Sequence, residues 1–137
     1  MIPELIVAIT IASEAIGEGQ MGRLMVASEI VNRSVARSMK PYEVCTQKKQ
    51  YSFWNKKKSQ LHLERIIGKW RLKSPNEWEE CMLLGVRVAN GSFVPITAAR
   101  YHYNPDKCHP SWADHLVNER KIGHHIFGNI LFSGRID

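Results

Sequence analysis

From Ile2 the chain is apolar almost without a break as far as Ala12, and Leu5, Ala8, Ile9 and Ala12 recur at helical spacing. Pro3 suits the first turn of a helix, where no backbone N–H is needed. Gly17 and Gly19 are placed to end it. A second helix fits the run from Gly19 to Arg37, with Met21, Leu24, Met25, Ser28, Val31 and Val35 as its inward stripe and Gly22 as a weak point. From Lys40 to Lys58 no period holds, and the segment reads as irregular. A third helix is predicted from Ser74, which caps it, with Pro75 at the first position and Glu77 completing a capping box. Trp78, Met82, Gly85 and Val88 or Ala89 face inward, and Gly91 stops it. Pro95, Pro105 and Pro110 make the stretch from Phe93 to Pro110 loop or short strands. The run "KWRLK" at Lys69 reads as a short basic insert with a solvated face. No repeat, linker or low-complexity tract interrupts the pattern.

Glu14 breaks this pattern. It follows an apolar run, and Glu18 lies four residues on, where like charges repel by about 0.2–0.5 kcal/mol on a helix. Two readings stand. Glu14 is a wet helix-end glutamate, or it is a general acid whose apolar neighbours and helix C-terminus disfavour its charge and so keep its proton.

Composition narrows the class. A chain of 137 residues with 44% hydrophobic content is the size of one domain, spanning 1–137, with enough apolar residues for a core. A net charge of +6 attracts polyanions such as nucleic acid, anionic lipid or cell wall, without choosing among them. Three cysteines, Cys45, Cys81 and Cys108, cannot all pair within the chain and form no CxxC, which favours synthesis in a reducing compartment. The N-terminus carries Glu4 and no early Lys or Arg, so it makes a poor signal peptide, and its apolar run is too short to span a bilayer.

Two aromatic clusters carry further chemistry. "RYHYNPDKCHPSW" sets Tyr101, Tyr103 and Trp112 around His102 and His109, a composition that suits sugar faces, a stacked base or a loop anchored by its own rings. In "QYSFW", alternation places Tyr51 and Phe53 on one face and Ser52 and Trp54 on the other. His102, Cys108, His109, His124 and His125 are zinc-ligand types, but their spacing fits no compact zinc pattern. No phosphate loop and no Cys–His signature is present.

In order, "SEAIGEG", "EIVNR", "VC" at Val44–Cys45, "QYSFW", "VANGSF", "YHYNP", "HPSW" and "IGHHIF" run from about Ile9 to Phe127. Each is weak alone. Together the series resembles the catalytic domain of the spore cortex-lytic cell-wall hydrolase family. Ser13 stands in place of that family's first glycine, and Ile16 in place of an arginine that could pair with Glu14 or Glu18. Tyr51 replaces a phenylalanine, and His124 fills a position that is often glycine, so the family histidine is carried to His125.

The resemblance implies a mainly helical (α+β), lysozyme-like fold with a small strand and loop region. It implies cleavage of the peptidoglycan glycan strand between N-acetylmuramic acid and N-acetylglucosamine. Glu14 is then the catalytic residue, and lytic transglycosylase chemistry follows, with one glutamate as acid and then base. The candidate substrate-binding residues are Glu18, Tyr51, Ser52, Phe53, Tyr101, His102, Tyr103, Trp112 and His125, with Glu18 supporting rather than reacting. His102 and His125 either bind sugar hydroxyls or brace the loop. No cofactor and no metal is expected, and peptidoglycan is the expected partner of a monomer, without nucleic acid or membrane insertion. The competing readings are a zinc amidase or peptidase on the stem peptides and a basic nucleic-acid-binding module. A cytoplasmic product without a signal peptide that acts on the wall fits a phage endolysin released through a holin.

Overall fold

The computed structural model describes residues 1–130. Five helices come first: α1 (Pro3–Ala15), α2 (Gly19–Arg37), α3 (Pro41–Thr46), α4 (Gln60–Lys73) and α5 (Pro75–Ala89). Three strands follow, β1 (Tyr101–Tyr103), β2 (Leu116–Ile122) and β3 (His125–Ile130), in an antiparallel sheet of order β1-β3-β2. This is the mainly helical fold with a small strand region that the sequence implied.

Helix α1 is the centre of the core. Every residue from Val7 to Ala12 is buried, so the helix shows no polar face there and α2, α3 and α5 all pack on it. The one polar side chain in that run, Thr10, is satisfied twice. Its hydroxyl donates to the Ile6 carbonyl at 2.8 Å and accepts the Trp54 indole N–H at 2.8 Å. Helix α5 comes in close because residue 85 is glycine. A Cβ there would lie 2.5 Å from the Glu4 carbonyl oxygen and 2.9 Å from the Ala8 nitrogen.

Several sequence expectations need correction. Helix α2 has the predicted span, but its inward face is not the predicted stripe. Met21 and Val35 are 42% and 76% exposed, and Leu24 and Val31 are only partly covered. The buried face instead holds Arg23, Ser28, Glu29 and Arg33 beside Met25, Val26 and Ile30. These polar groups go inside because each finds a hydrogen-bond or ion-pair partner, the condition for burying polarity without a large penalty.

The segment from Lys40 to Lys58 is not wholly irregular. It contains α3, where Glu43 accepts the Lys40 N–H at 2.9 Å, and a 3-10 turn over Ser52–Asn55. That turn removes the strand-like alternation expected for Tyr51 to Trp54. Helix α4 was not anticipated. Ser59 caps it by accepting the His62 N–H at 3.1 Å, Leu63 and Ile67 are buried, and Trp70 stacks on Trp78 with centroids 5.4 Å apart. The "KWRLK" run is its last turn, where positive charge complements the helix dipole.

Ser74 starts α5 without a side-chain cap, so the expected capping box does not form. The residue is shared by two helices. Its N–H donates to Trp70 and its carbonyl accepts from Trp78, which ties its backbone to both ends at once.

In the sheet, His102 pairs with Phe127 and Ile122 with His125. The Val117–Arg120 irregularity contains Asn118 at φ 55, a bulge that twists β2. Cys45, Cys81 and Cys108 are all unbridged. Among the described residues no helix is long and apolar enough to cross a membrane.

Candidate active site

An open groove of about 1110 Å³ runs between the C-terminal end of α1, the segment around Lys48–Asn55, the loop after β1 and the β2–β3 turn. It exceeds the roughly 300–1,000 Å³ of small-molecule pockets and suits a polymer.

Helix α1 delivers Glu14 to the groove on its last turn. Just beyond, the Arg23 guanidinium donates to the Ile16 carbonyl at 2.9 Å and pairs with Glu80 on α5 at 3.2 Å. A cation thus fixes the end of α1 where the helix carbonyls are free. Glu14 is not set among apolar groups, as the sequence suggested. Its Oε1 stands 3.3 Å from Nε2 of His102, and its side chain keeps 19% of its surface exposed. The difference arises because the partner sits 88 residues away in sequence, on β1.

His102 is held from below by α2. Its Nδ1–H donates to Glu29 Oε2 at 2.7 Å, and Glu29 Oε1 accepts the Tyr51 hydroxyl at 2.7 Å. Arg33 lies 3.8 Å from Glu29 Oε1 and over the Tyr51 ring at 5.0 Å. The same helix positions the chain leading into β1. Ser28 accepts the Ile96 N–H at 3.0 Å, Asn32 donates to Thr97 and Ala99 at 2.8 and 2.9 Å, and Arg33 donates to the Arg100 carbonyl at 2.6 Å. Ser28 and the "EIVNR" motif that follows it therefore form a clamp on residues 96–100 that aims His102 at Glu14.

Burial opposes charge on His102, but Coulomb attraction to Glu29, with hydrogen bonds to Glu14 and Glu29, outweighs it and pushes the imidazole up to about 10. Burial likewise opposes charge on Glu29. Arg33 and then His102 overcome it, and the carboxyl sits below its ordinary range. Tyr51, fully enclosed beside this carboxylate, is pushed well above an ordinary phenol mainly by burial.

Glu18 occupies the far side of the α1–α2 turn. Its Oε2 meets His124 Nδ1 at 2.9 Å, and its Oε1 meets His125 Nδ1 at 3.2 Å. The charge partner missing at Ile16 is supplied here by the hairpin. Gly123 permits the approach: its φ is +60, and a Cβ there would lie 3.1 Å from Glu18 Oε2. Partial burial raises the Glu18 pKa, but the hydrogen bond and charge of His124, then His125, bring it below its ordinary value. His125 is lowered, first by burial and then by the charge on His102, whose ring lies 5.0 Å away.

The opposite wall is aromatic. Trp112 packs on Tyr101 and Tyr103 with centroids 5.5 and 5.7 Å apart, and Ser52 lines the near side. Lys48, Lys49 and Lys107 add positive charge to the lining. Of the sequence candidates, Glu14, Glu18, Ser52, Tyr101, His102, Tyr103, Trp112 and His125 meet in this groove. Two do not. Tyr51 is completely buried and faces Glu29, and Phe53 packs against Trp54 and Trp70 instead of lining the groove. The sequence reading did not single out Glu29. Its i,i+4 spacing to Arg33 on the Met25 side of α2 was the available signal. Among the described residues no group of three His, Cys, Asp or Glu side chains is arranged to hold a metal ion.

A family model described as cell wall hydrolase matches residues 17–128 of the chain. The match takes in Glu18, Glu29, His102 and His125 and begins after Glu14. Among solved structures, the catalytic domain of the germination-specific lytic transglycosylase SleB from Bacillus anthracis superposes with a TM-score of 0.52 and 21% sequence identity, covering 93% of each chain. At that identity the likeness establishes the shared fold. No curated protein matches the chain.

Proposed function

The chain belongs to the cell wall hydrolase family, and from that premise we propose that it cleaves the peptidoglycan glycan strand between N-acetylmuramic acid and N-acetylglucosamine with Glu14 as its acid and base. One observation carries the assignment to Glu14 over its neighbour. Both Glu18 oxygens are taken by His124 and His125, whereas Glu14 meets protein only through Oε1, among the described residues. Glu14 Oε2 is left for a sugar oxygen. The remaining groove carboxyl, Asp106, lies on the exposed loop after β1.

A single working carboxyl supports lytic transglycosylase chemistry over the two-carboxylate hydrolysis scheme. Glu14 gives its proton to the glycosidic oxygen as the bond from that oxygen to muramoyl C1 breaks. The carboxylate then takes the proton of the muramoyl 6-hydroxyl as that oxygen bonds to C1, closing a 1,6-anhydro ring. The positive charge that develops at C1 is met by the carboxylate that Glu14 becomes on giving up its proton. Trp112 and the tyrosines beside it offer faces for the sugar rings. The lysines at the rim suit a strand that carries stem-peptide carboxylates.

The test is digestion of purified peptidoglycan followed by mass spectrometry. Anhydro-muropeptides are expected, and Glu14→Gln is expected to abolish them while the fold persists. Reducing muramic acid ends would make the enzyme a hydrolase, and full activity in Glu14→Gln would remove Glu14 from the chemistry. A chelator separates the zinc amidase reading, since it should leave glycan cleavage intact.

A further inference from the structure

Glu29 and His102 have no role in the chemistry just described, yet they form the most enclosed polar cluster among the described residues. Glu29 is 0% exposed, and the His102 side chain is 8% exposed. A carboxylate with no access to water is costly unless its charge is matched and its oxygens are bonded. Here the Tyr51 hydroxyl and His102 Nδ1 bond it at 2.7 Å each. The other ring nitrogen, Nε2, faces Glu14 Oε1 at 3.3 Å. Both nitrogens of His102 are therefore committed to carboxylates, and neither is left for a sugar hydroxyl.

We propose that Glu29 and His102 form a buried relay that stores the acid proton behind Glu14, with Nε2 of His102 and Oε1 of Glu14 as the two seats of one shared proton. The inference rests on Glu14 as the acid. Glu29 is a positioning residue: it fixes the imidazole with Nδ1–H towards itself, so that Nε2 is the nitrogen that exchanges with Glu14. With the proton on Nε2, Glu14 is a carboxylate. When it crosses to Glu14, His102 is neutral and retains Nδ1–H on Glu29, and the total charge of the three groups is unchanged. A half-turn of the Glu14 carboxyl about its Cγ–Cδ bond then brings this proton from the His102 side to the groove, where it passes to the glycosidic oxygen. The proton taken from the muramoyl 6-hydroxyl restores the starting state, so each turnover closes without a proton from water.

The charged and titratable groups facing His102 are Glu14 from α1, Glu29 and Arg33 from α2, Tyr51 from the loop before the 3-10 turn, and His125 from β3. Arg33 and His125 oppose a second positive charge, and the two carboxylates favour it. Of these, Glu29 is the one that Glu29→Gln neutralises with little change in shape.

The test is the pH dependence of kcat on soluble glycan fragments, for the native enzyme, Glu29→Gln and Glu29→Asp. Losing the buried charge weakens the hold on the shared proton, so Glu29→Gln should move the alkaline limb to lower pH by about 1–3 units, the usual effect of a neighbouring charge. Glu29→Asp should restore part of the shift. A uniform loss of rate with an unmoved limb would make Glu29 merely structural and overturn the relay. Should Glu29→Gln fail to fold, nitrogen-15 NMR of the native protein decides: the relay requires His102 as imidazolium at neutral pH, and a neutral ring there refutes it. An active Glu14→Gln enzyme would instead sink the assignment of the acid, so the two failures are distinguishable.

Discussion

Replacing Tyr51 by phenylalanine separates a groove residue from a buried support. The substitution removes one oxygen and keeps the ring, including its contact with the Arg33 guanidinium at 5.0 Å. What is lost is the 2.7 Å hydrogen bond to Glu29 Oε1, whose next donor is Arg33 at 3.8 Å. A buried hydrogen bond to a charged acceptor is worth about 1.5–3 kcal/mol. For a chain of this length, each kcal/mol corresponds to about 4 °C in Tm, so a fall of about 6–12 °C is expected. Circular dichroism during heating measures the Tm, and clearing of purified peptidoglycan measures KM. Because Tyr51 has no exposed surface, KM should stay within about twofold, far less than loss of a direct substrate hydrogen bond would cost. An unchanged Tm together with a raised KM would refute the reasoning, because it would put the hydroxyl on the substrate.

Stability should also depend on pH in a stated direction. His102 is raised from 6.5 to about 10, so its contribution is complete below pH 6.5 and is lost as pH rises towards 10. Glu29 is lowered from 4.5, so its contribution is present above pH 4.5 and is lost as pH falls below it. The urea midpoint should therefore decline between pH 6.5 and 9.0, before the ordinary pKa of the buried thiols of Cys45 and Cys81 is reached. A flat midpoint across that window would contradict the pairing. At the α1–α5 contact, Gly85→Ala places a methyl against the backbone of Glu4 and Ala8, which cannot rotate away, and should cost about 1–3 kcal/mol in Tm measurements. A gain in stability, as for an exposed helical glycine, would show that α5 does not approach so closely.

Much of the helical frame was legible locally. Pro3 and the unbroken apolar run marked α1, and the limits of α2 follow from Gly19 and the end of its apolar spacing. The β2 and β3 strands gave less away, because β2 is mostly exposed and carries Asn118, Glu119, Arg120 and Lys121 in succession. Helix α4 escaped because only Leu63, Ile67 and Trp70 turn inward among charged neighbours, although Ser59 was a legible cap. The groove's aromatic wall was readable from "YHYNP" and "HPSW" because its members are close in sequence. The carboxylate behind His102 was not. Glu29 takes its meaning from Tyr51 and His102, which are 22 and 73 residues away, and its one local signal, the i,i+4 spacing to Arg33, is a pairing that solvated glutamates on helices also make.

The clamp of α2 on residues 96–100 grips main-chain atoms alone: the carbonyls of Thr97, Ala99 and Arg100 and the amide of Ile96. Such a grip is indifferent to which side chains the gripped segment carries. Mutational drift at the exposed Ile96 and Ala98 is therefore tolerated as long as the trace is kept, while Ser28, Asn32 and Arg33 are the positions where change unhooks the histidine. A library randomised at the exposed positions 96 and 98 should yield many active clones, and one randomised at 28, 32 and 33 very few.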